Sequence, residues 1–249
     1  MNASEYKAFY DEVGVANGWD FSRVKCMTEG TNWDFYTEVT KTCAKTDLLL
    51  DIGTGGGEKI LSIADSALLL VGIDQSSGMI ETAKRNAARP DIRNVRFFQM
   101  EAEELEFPEA FFDVVSCRHS GFQASEIARV LKKGGSFLTQ QVSENDKRNL
   151  KEAFGRGQAW GEADGAMMGR YVAELKEAGF AEIQTFEFDD TEYYETAEDL
   201  IFLLKHTPII PGFGSSERDF HILRQFVTEH QTEKGVRTNA ARFVITARL

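Results

Sequence analysis

The sequence is poor in the residues that would take it out of a reducing interior. Its 249 residues hold three cysteines, Cys26, Cys43 and Cys117, with no C-x-x-C spacing. An odd, scattered set argues against a disulfide framework and against a zinc site, so no metal is expected. Residues 1–7 have no basic segment followed by an apolar one, and no apolar run approaches the ~18 residues of a membrane span. Neither a signal peptide nor a membrane helix is expected, and a cytoplasmic location follows as the expectation. Positive charge is scarce as well: 28 Lys and Arg face 40 Asp and Glu, a net charge of −12. No Lys/Arg cluster offsets this excess locally, so nucleic acid is a disfavoured partner. Repeats and low-complexity stretches are missing. The hydrophobic share of 42 % and charged share of 27 % are those of an ordinary globular chain, long enough for one α/β domain with an added lid.

A further absence narrows the ligand. Residues 48–60 read LLLDIGTGGGEKI, and 68–74 read LLLVGID. A buried strand, a glycine-rich turn, a helix and a second strand ending in an acid is how a doubly wound sheet holds an adenine nucleoside. A dinucleotide fingerprint needs a third glycine, where this chain has Glu58 after Gly53 and Gly55. A carboxylate at the start of the next helix opposes a pyrophosphate there. S-adenosylmethionine fits better, having an adenosine, no phosphate, a sulfonium cation and an amino-acid tail.

With these residues the chain resembles the class I S-adenosylmethionine-dependent methyltransferases, in their small-molecule, ubiquinone-biosynthesis-like group. Leu50–Gly57 resembles the first motif of that family and Gly72–Asp74 the second. Residues 101–108 (EAEELEFP), 112–116 (FDVVS) and 127–135 (IARVLKKGG) follow in the family's order. The resemblance covers roughly residues 45–145. It implies an α/β fold with a doubly wound, mostly parallel seven-stranded sheet whose last strand is antiparallel, and S-adenosylhomocysteine as coproduct. RNA or protein methylation and a non-catalytic binding module are the alternatives.

Elsewhere the pattern is read from periodicity. Residues 1–45 are aromatic and polar, predicting two or three short helices that form a lid, with 46–249 as the catalytic domain. Strands are expected at about 47–52, 68–73, 95–99, 112–116, 136–142, 181–188 and 240–249. A helix with Ile60, Leu61, Ile63 and Ala64 on its inner face should follow the glycine turn. Another, capped by Ser76 or Ser77, should bury Met79, Ile80, Ala83 and Ala87. A third, from about 123 to 132, should stop at Gly134-Gly135. The span of about 191–239 is read as a lid-like insertion, with an apolar helix breaking into a proline-bounded loop over 199–213 and then a helix around 216–230.

The resemblance implies a cofactor set. Gly53, Thr54, Gly55 and Gly57 let the backbone pass close to the methionine moiety. Asp51 faces the amino end or braces the loop. Asp74 accepts the ribose hydroxyls. Glu101 and Ala102 meet the adenine edge, with Met79, Gln75 and Tyr10 nearby. On the acceptor side, SCRHSGF at 116–122 matches neither the Asp/Asn-Pro-Pro-Tyr of nucleobase N-methylation nor the Pro-Cys of cytosine C5 enzymes. His119 is therefore a candidate base and Arg118 a group that orients an acidic substrate or braces the loop. Tyr10, Trp33, His206 and Phe213 are candidate pocket walls or, equally, core or dimer contacts, so a homodimer stays open. Cys117 reads as a small buried hydrophobe.

Overall fold

A computed structural model describes residues 3–31, 33–88, 90 and 92–249. The chain runs α1 (Ala3–Ala16), β1 (Cys26–Glu29), α2 (Phe35–Thr42), β2 (Leu48–Ile52), a 3-10 helix (Ile60–Ser66), β3 (Leu69–Asp74), α3 (Ser77–Asn86), β4 (Val95–Gln99) and β5 (Phe112–Arg118). It continues through α4 (Ala124–Val130), β6 (Leu131–Val142), α5 (Arg148–Phe154), α6 (Ala166–Glu177), β7 (Ala181–Tyr194), α7 (Ala197–His206), α8 (Glu217–His230), β8 (Gln231–Thr232) and β9 (Gly235–Arg248).

Among the described residues the strands form one nine-stranded sheet in the order β1-β7-β9-β6-β5-β2-β3-β4, with β8 on β9. Strands β4, β3, β2, β5 and β6 pair in parallel, while β9, β7 and β1 continue antiparallel. The chain crosses from β2 to β3 on one side and returns to β5 on the other. The carboxyl ends of β2 and β5 therefore flank the switch point where such sheets bind ligands. β2 and β3 are apolar through their length because both faces are covered. One core, including Leu50, Ile52, Val115, Ile127, Phe137 and Phe243, fills the α4/α6 side. Another, including Phe35, Val39, Leu49, Ile60, Leu70 and Ile80, fills the α2/α3 side.

Four expectations need correction. The sheet gains β1, placed within residues read as purely helical, and the small β8. Cys26–Glu29 is exposed throughout and pairs only with the end of β7, so it carried no buried alternation to betray it. The helix after the glycine turn is a seven-residue 3-10 helix kinked at Ile63, burying Ile60 and Ala64 and leaving Leu61 and Ile63 partly covered. A long helix dipole at Glu58 is therefore absent. Finally, α4 stops at Val130, and Gly134 (φ +81°) lies beyond it, at the irregular start of β6.

Residues 195–234, between β7 and β9, build a separate core of Leu200, Leu204, Ile210, Leu223 and Phe226 against Leu150 and Phe154 of α5. The capping box Thr196/Asp199 starts α7, and Ser216 caps α8. No helix among the described residues is long and apolar enough to cross a membrane.

Candidate active site

The glycine turn leaves β2 with Gly53 at φ +71°, and a Cβ there would lie 2.3 Å from Ser120 Cβ, so only glycine admits the loop after β5 so close. Thr54 N–H and Gly53 N–H both donate to the Ile73 carbonyl, 2.9 Å each, tying the turn to β3. Asp74, at the tip of β3, accepts Gly55 N–H at 3.0 Å and Ser76 N–H at 2.9 Å. Burial pushes its carboxyl up despite these donors, and Asp11 adds to the rise. Each oxygen retains a lone pair for a ligand hydroxyl. Ser76, not Ser77, caps α3, accepting Met79 N–H at 3.1 Å, which sets Met79 on the cavity wall.

These groups border a cavity of about 380 Å³ that runs from Asp74, Gln75, Met79 and Ala102 past Gly53, Thr54 and Gly55 to Arg118 and His119. Tyr10 from α1, with Tyr6 and Trp19, closes it from above; Tyr10 and Trp19 meet edge to face at 5.8 Å. Burial raises the Tyr10 hydroxyl pKa well above its usual value.

Three of the expected cofactor residues lie off this wall. Asp51 is wholly buried beneath it, its Oδ1 receiving Ser116 Oγ at 2.6 Å, because its position on β2 turns it toward β5. Burial raises its carboxyl to about 7. Gly57 turns away from the cavity toward Phe97 and Ala83. Glu101 is exposed and lies outside the lining, where Met100, Ala102 and Glu103 stand. Of the proposed pocket walls only Tyr10 reaches the cavity. Trp33 instead donates its indole N–H to Gln140 Oε1 at 3.0 Å, His206 stacks on Phe202, and Phe213 packs between Phe154 and Phe220. The walls that sequence reasoning missed, Tyr36, Tyr171, Gln141 and Met167, come from elements far apart in the chain. Glu58 also faces the cavity, where its Oε1 accepts Trp19 N–H at 3.0 Å and pins the segment after α1.

His119 adopts a left-handed backbone (φ +57°), fixed by its N–H donating to the Gln140 carbonyl at 2.9 Å. Its Nε2 lies 3.2 Å from Gln140 Nε2. Because the Trp33 indole can only donate, it fixes the Gln140 amide with Oε1 toward Trp33, and the amide NH₂ toward His119. Nε2 of His119 is then the acceptor and Nδ1 carries the proton. Burial, with Arg118 and Arg242 nearby, holds the ring pKa well below its usual value. The residue is neutral and its basic lone pair is engaged, so the geometry opposes the expected role as general base and suits a hydrogen-bond donor.

The donor set also tests the nucleoside ligand inferred from the glycine turn. Asp51 Oδ2 and Thr54 Oγ1 are buried with no hydrogen-bond partner, adjoin each other, and Thr54 reaches the wall. Buried polar atoms are seldom left unpaired. A carboxylate oxygen and a neighbouring hydroxyl without outside partners beneath a glycine turn fit the ammonium of an S-adenosylmethionine tail. Among the described residues no cluster of His, Cys, Asp and Glu could hold a metal ion.

A family model described as a methyltransferase domain matches residues 49–135. The chain is 37% identical over 106 residues to the uncharacterized methyltransferase YcgJ of Bacillus subtilis, covering 40% of this chain and 42% of that protein. It is 34% identical over 106 residues to the mitochondrial ubiquinone biosynthesis O-methyltransferase of Schizosaccharomyces pombe, covering 40% of this chain and 38% of that one. The chain thus matches less than half the length of either relative. The crystal structure of YcgJ superposes with a TM-score of 0.62 at 21% identity over 85% of this chain and 96% of that one, a likeness of fold. Residues 49–135 are thus similar in sequence to a methyltransferase domain, and the chain shares its fold with YcgJ.

Proposed function

We propose that this protein methylates a small-molecule acceptor, using S-adenosylmethionine and releasing S-adenosylhomocysteine. The observation that carries the reading is the single cavity that joins the nucleoside end, at Asp74 and Met79, to a second polar end at Arg118 and His119. Asp74 would accept the ribose hydroxyls, with Gln75, Met79 and Ala102 beside the adenine. Thr54 would link the ligand ammonium to Asp51. When bound, the cofactor supplies an electrophilic methyl group on sulfur, and such a transfer asks the protein chiefly to align the acceptor and exclude water. The aromatic cover of Tyr6, Tyr10 and Trp19 suits that exclusion, with residues 1–45 as a lid. The insertion lines none of the cavity; it buttresses the wall at Gln158, whose N–H donates to the Ile209 carbonyl at 2.9 Å. A relative that acts in ubiquinone biosynthesis and the acidic surface both favour a small acceptor over nucleic acid, and the cytoplasm is the proposed setting.

The test is turnover. Purified protein incubated with methyl-labelled cofactor and a metabolite extract should release S-adenosylhomocysteine. Saturable cofactor binding without release would make it a binding module instead.

A further inference from the structure

Arg118 places a positive charge on the cavity wall. Its side chain ends β5 and lines the cavity. Among the described residues it makes no hydrogen bond and no ion pair. The charged and titratable groups around it are Tyr36, Arg242, Asp34 and Asp51. Neither carboxylate pairs with it: Asp34 caps α2 through Thr37, and Asp51 accepts from Ser116 with one oxygen while its other oxygen lies out of hydrogen-bond reach of the guanidinium. Arg242 is paired with Asp146, and burial keeps the Tyr36 hydroxyl protonated. Enclosure works against the guanidinium charge. A cation left there without a partner is costly, and its planar fork of donors matches a carboxylate.

We propose that Arg118 anchors an anionic oxygen on the methyl acceptor, so that the acceptors are small organic acids bound through a carboxylate. This rests on the methyltransferase reading above and names its substrate class. A second source of the same chemistry is the cofactor's own carboxylate. Lys59 also lines the cavity, beside the glycine turn, and can meet that group, whereas Arg118 ends β5 next to His119. The Nδ1–H of His119 supplies an uncharged donor next to the guanidinium.

The experiment uses the full chain loaded with S-adenosylhomocysteine and two pairs of probes, benzoate with benzamide and salicylate with salicylamide, titrated by calorimetry. The acids should bind at least about tenfold more tightly than their amides, as expected for hydrogen bonds to a charged group. Arg118→Gln should bring that ratio to about one while changing the S-adenosylhomocysteine Kd by less than about threefold, and Arg118→Lys should restore part of the preference. Equal binding of acids and amides by the parent protein would overturn the proposal. So would an Arg118→Gln variant, folded by circular dichroism, whose S-adenosylhomocysteine affinity falls more than about tenfold, since the cofactor would then own the guanidinium. Absence of S-adenosylhomocysteine binding by the parent protein would instead remove the methyltransferase reading, and this inference with it.

Discussion

Asp51 shows how a side chain can serve a ligand at the expense of the empty fold. Its carboxyl titrates near 7 in the folded chain against an ordinary 3.8, chiefly because burial disfavours the charge. Between those two values the folded chain keeps a proton that the unfolded chain has lost. The residue's effect on stability therefore turns unfavourable as pH rises through that window, reaching about 4 kcal/mol above pH 7. Asp51→Asn keeps an acceptor for Ser116 Oγ without the charge. It should raise the melting temperature at pH 8, have little effect at pH 4, and weaken S-adenosylmethionine binding; thermal denaturation at both pH values, with calorimetry, checks this. No gain in melting temperature at pH 8 would mean that the carboxyl is not strained in the empty protein.

Helix α1 is held by a crossing of helices that depends on two missing side chains. A Cβ on Gly14 of α1 would sit 2.5 Å from Met79 N, and one on Gly78 of α3 would sit 2.6 Å from the Asp11 carbonyl oxygen. The backbones thus meet at a distance that only glycine permits, and Thr82 Oγ1 donates to the Gly14 carbonyl at 2.9 Å across the contact. α1 carries Tyr6 and Tyr10 to the cavity. Gly14→Val should push α1 away, costing about 1–3 kcal/mol as overpacking does, and weaken cofactor binding while the sheet persists. Urea denaturation and calorimetry on the same variant measure both, and an unchanged Kd would detach the helix from the site. The crossing was invisible in the sequence, where Gly14 and Gly78 belong to separate helical patterns and nothing marks them as neighbours.

Across the whole molecule, the region after β6 is fastened to the long β7–β9 pair by buried charge. Lys147, in a left-handed conformation (φ +49°), donates to Glu192 at 2.6 Å and to the Asn239 carbonyl at 2.9 Å, and Tyr194 also donates to Glu192 at 2.6 Å. Burial alone would raise the Glu192 carboxyl, but Lys147, with the Tyr194 hydroxyl and Arg242, more than reverses this and holds it below its usual value. The stabilisation is present above the ordinary carboxyl pKa of 4.5 and is lost as pH falls. Lys147→Met leaves a buried carboxylate without its cation, an expected loss of about 3–5 kcal/mol. The deficit should be largest at pH 7 and shrink below pH 4.5, where protonation relieves the orphaned group. Urea midpoints at pH 7 and pH 4 give the comparison, and a deficit independent of pH would assign the loss to packing instead.

The sequence by itself determined the strand-turn-strand centre of this protein. Leu48–Ile52 and Leu69–Asp74 are apolar enough to be buried on both faces, and the glycines with Asp74 specify a close-approach turn and an acid tip, all short-range signals. It also pointed away from a dinucleotide, because the absent third glycine is a local fact, whereas the short 3-10 helix after Glu58 removes the dipole argument. Only the tertiary structure decided which side chains meet across the cavity. Asp51 lies two positions from the glycine turn yet faces another strand, while Tyr36 and Tyr171 come from helices whose approach depends on packing. The tautomer of His119 depends on Gln140 and Trp33, partners remote in the chain, and its low pKa chiefly on burial, so neither was written in the SCRHSGF motif alone. Strand ends and turns follow from local chemistry; burial, charge pairing and proton position are properties of the assembled whole.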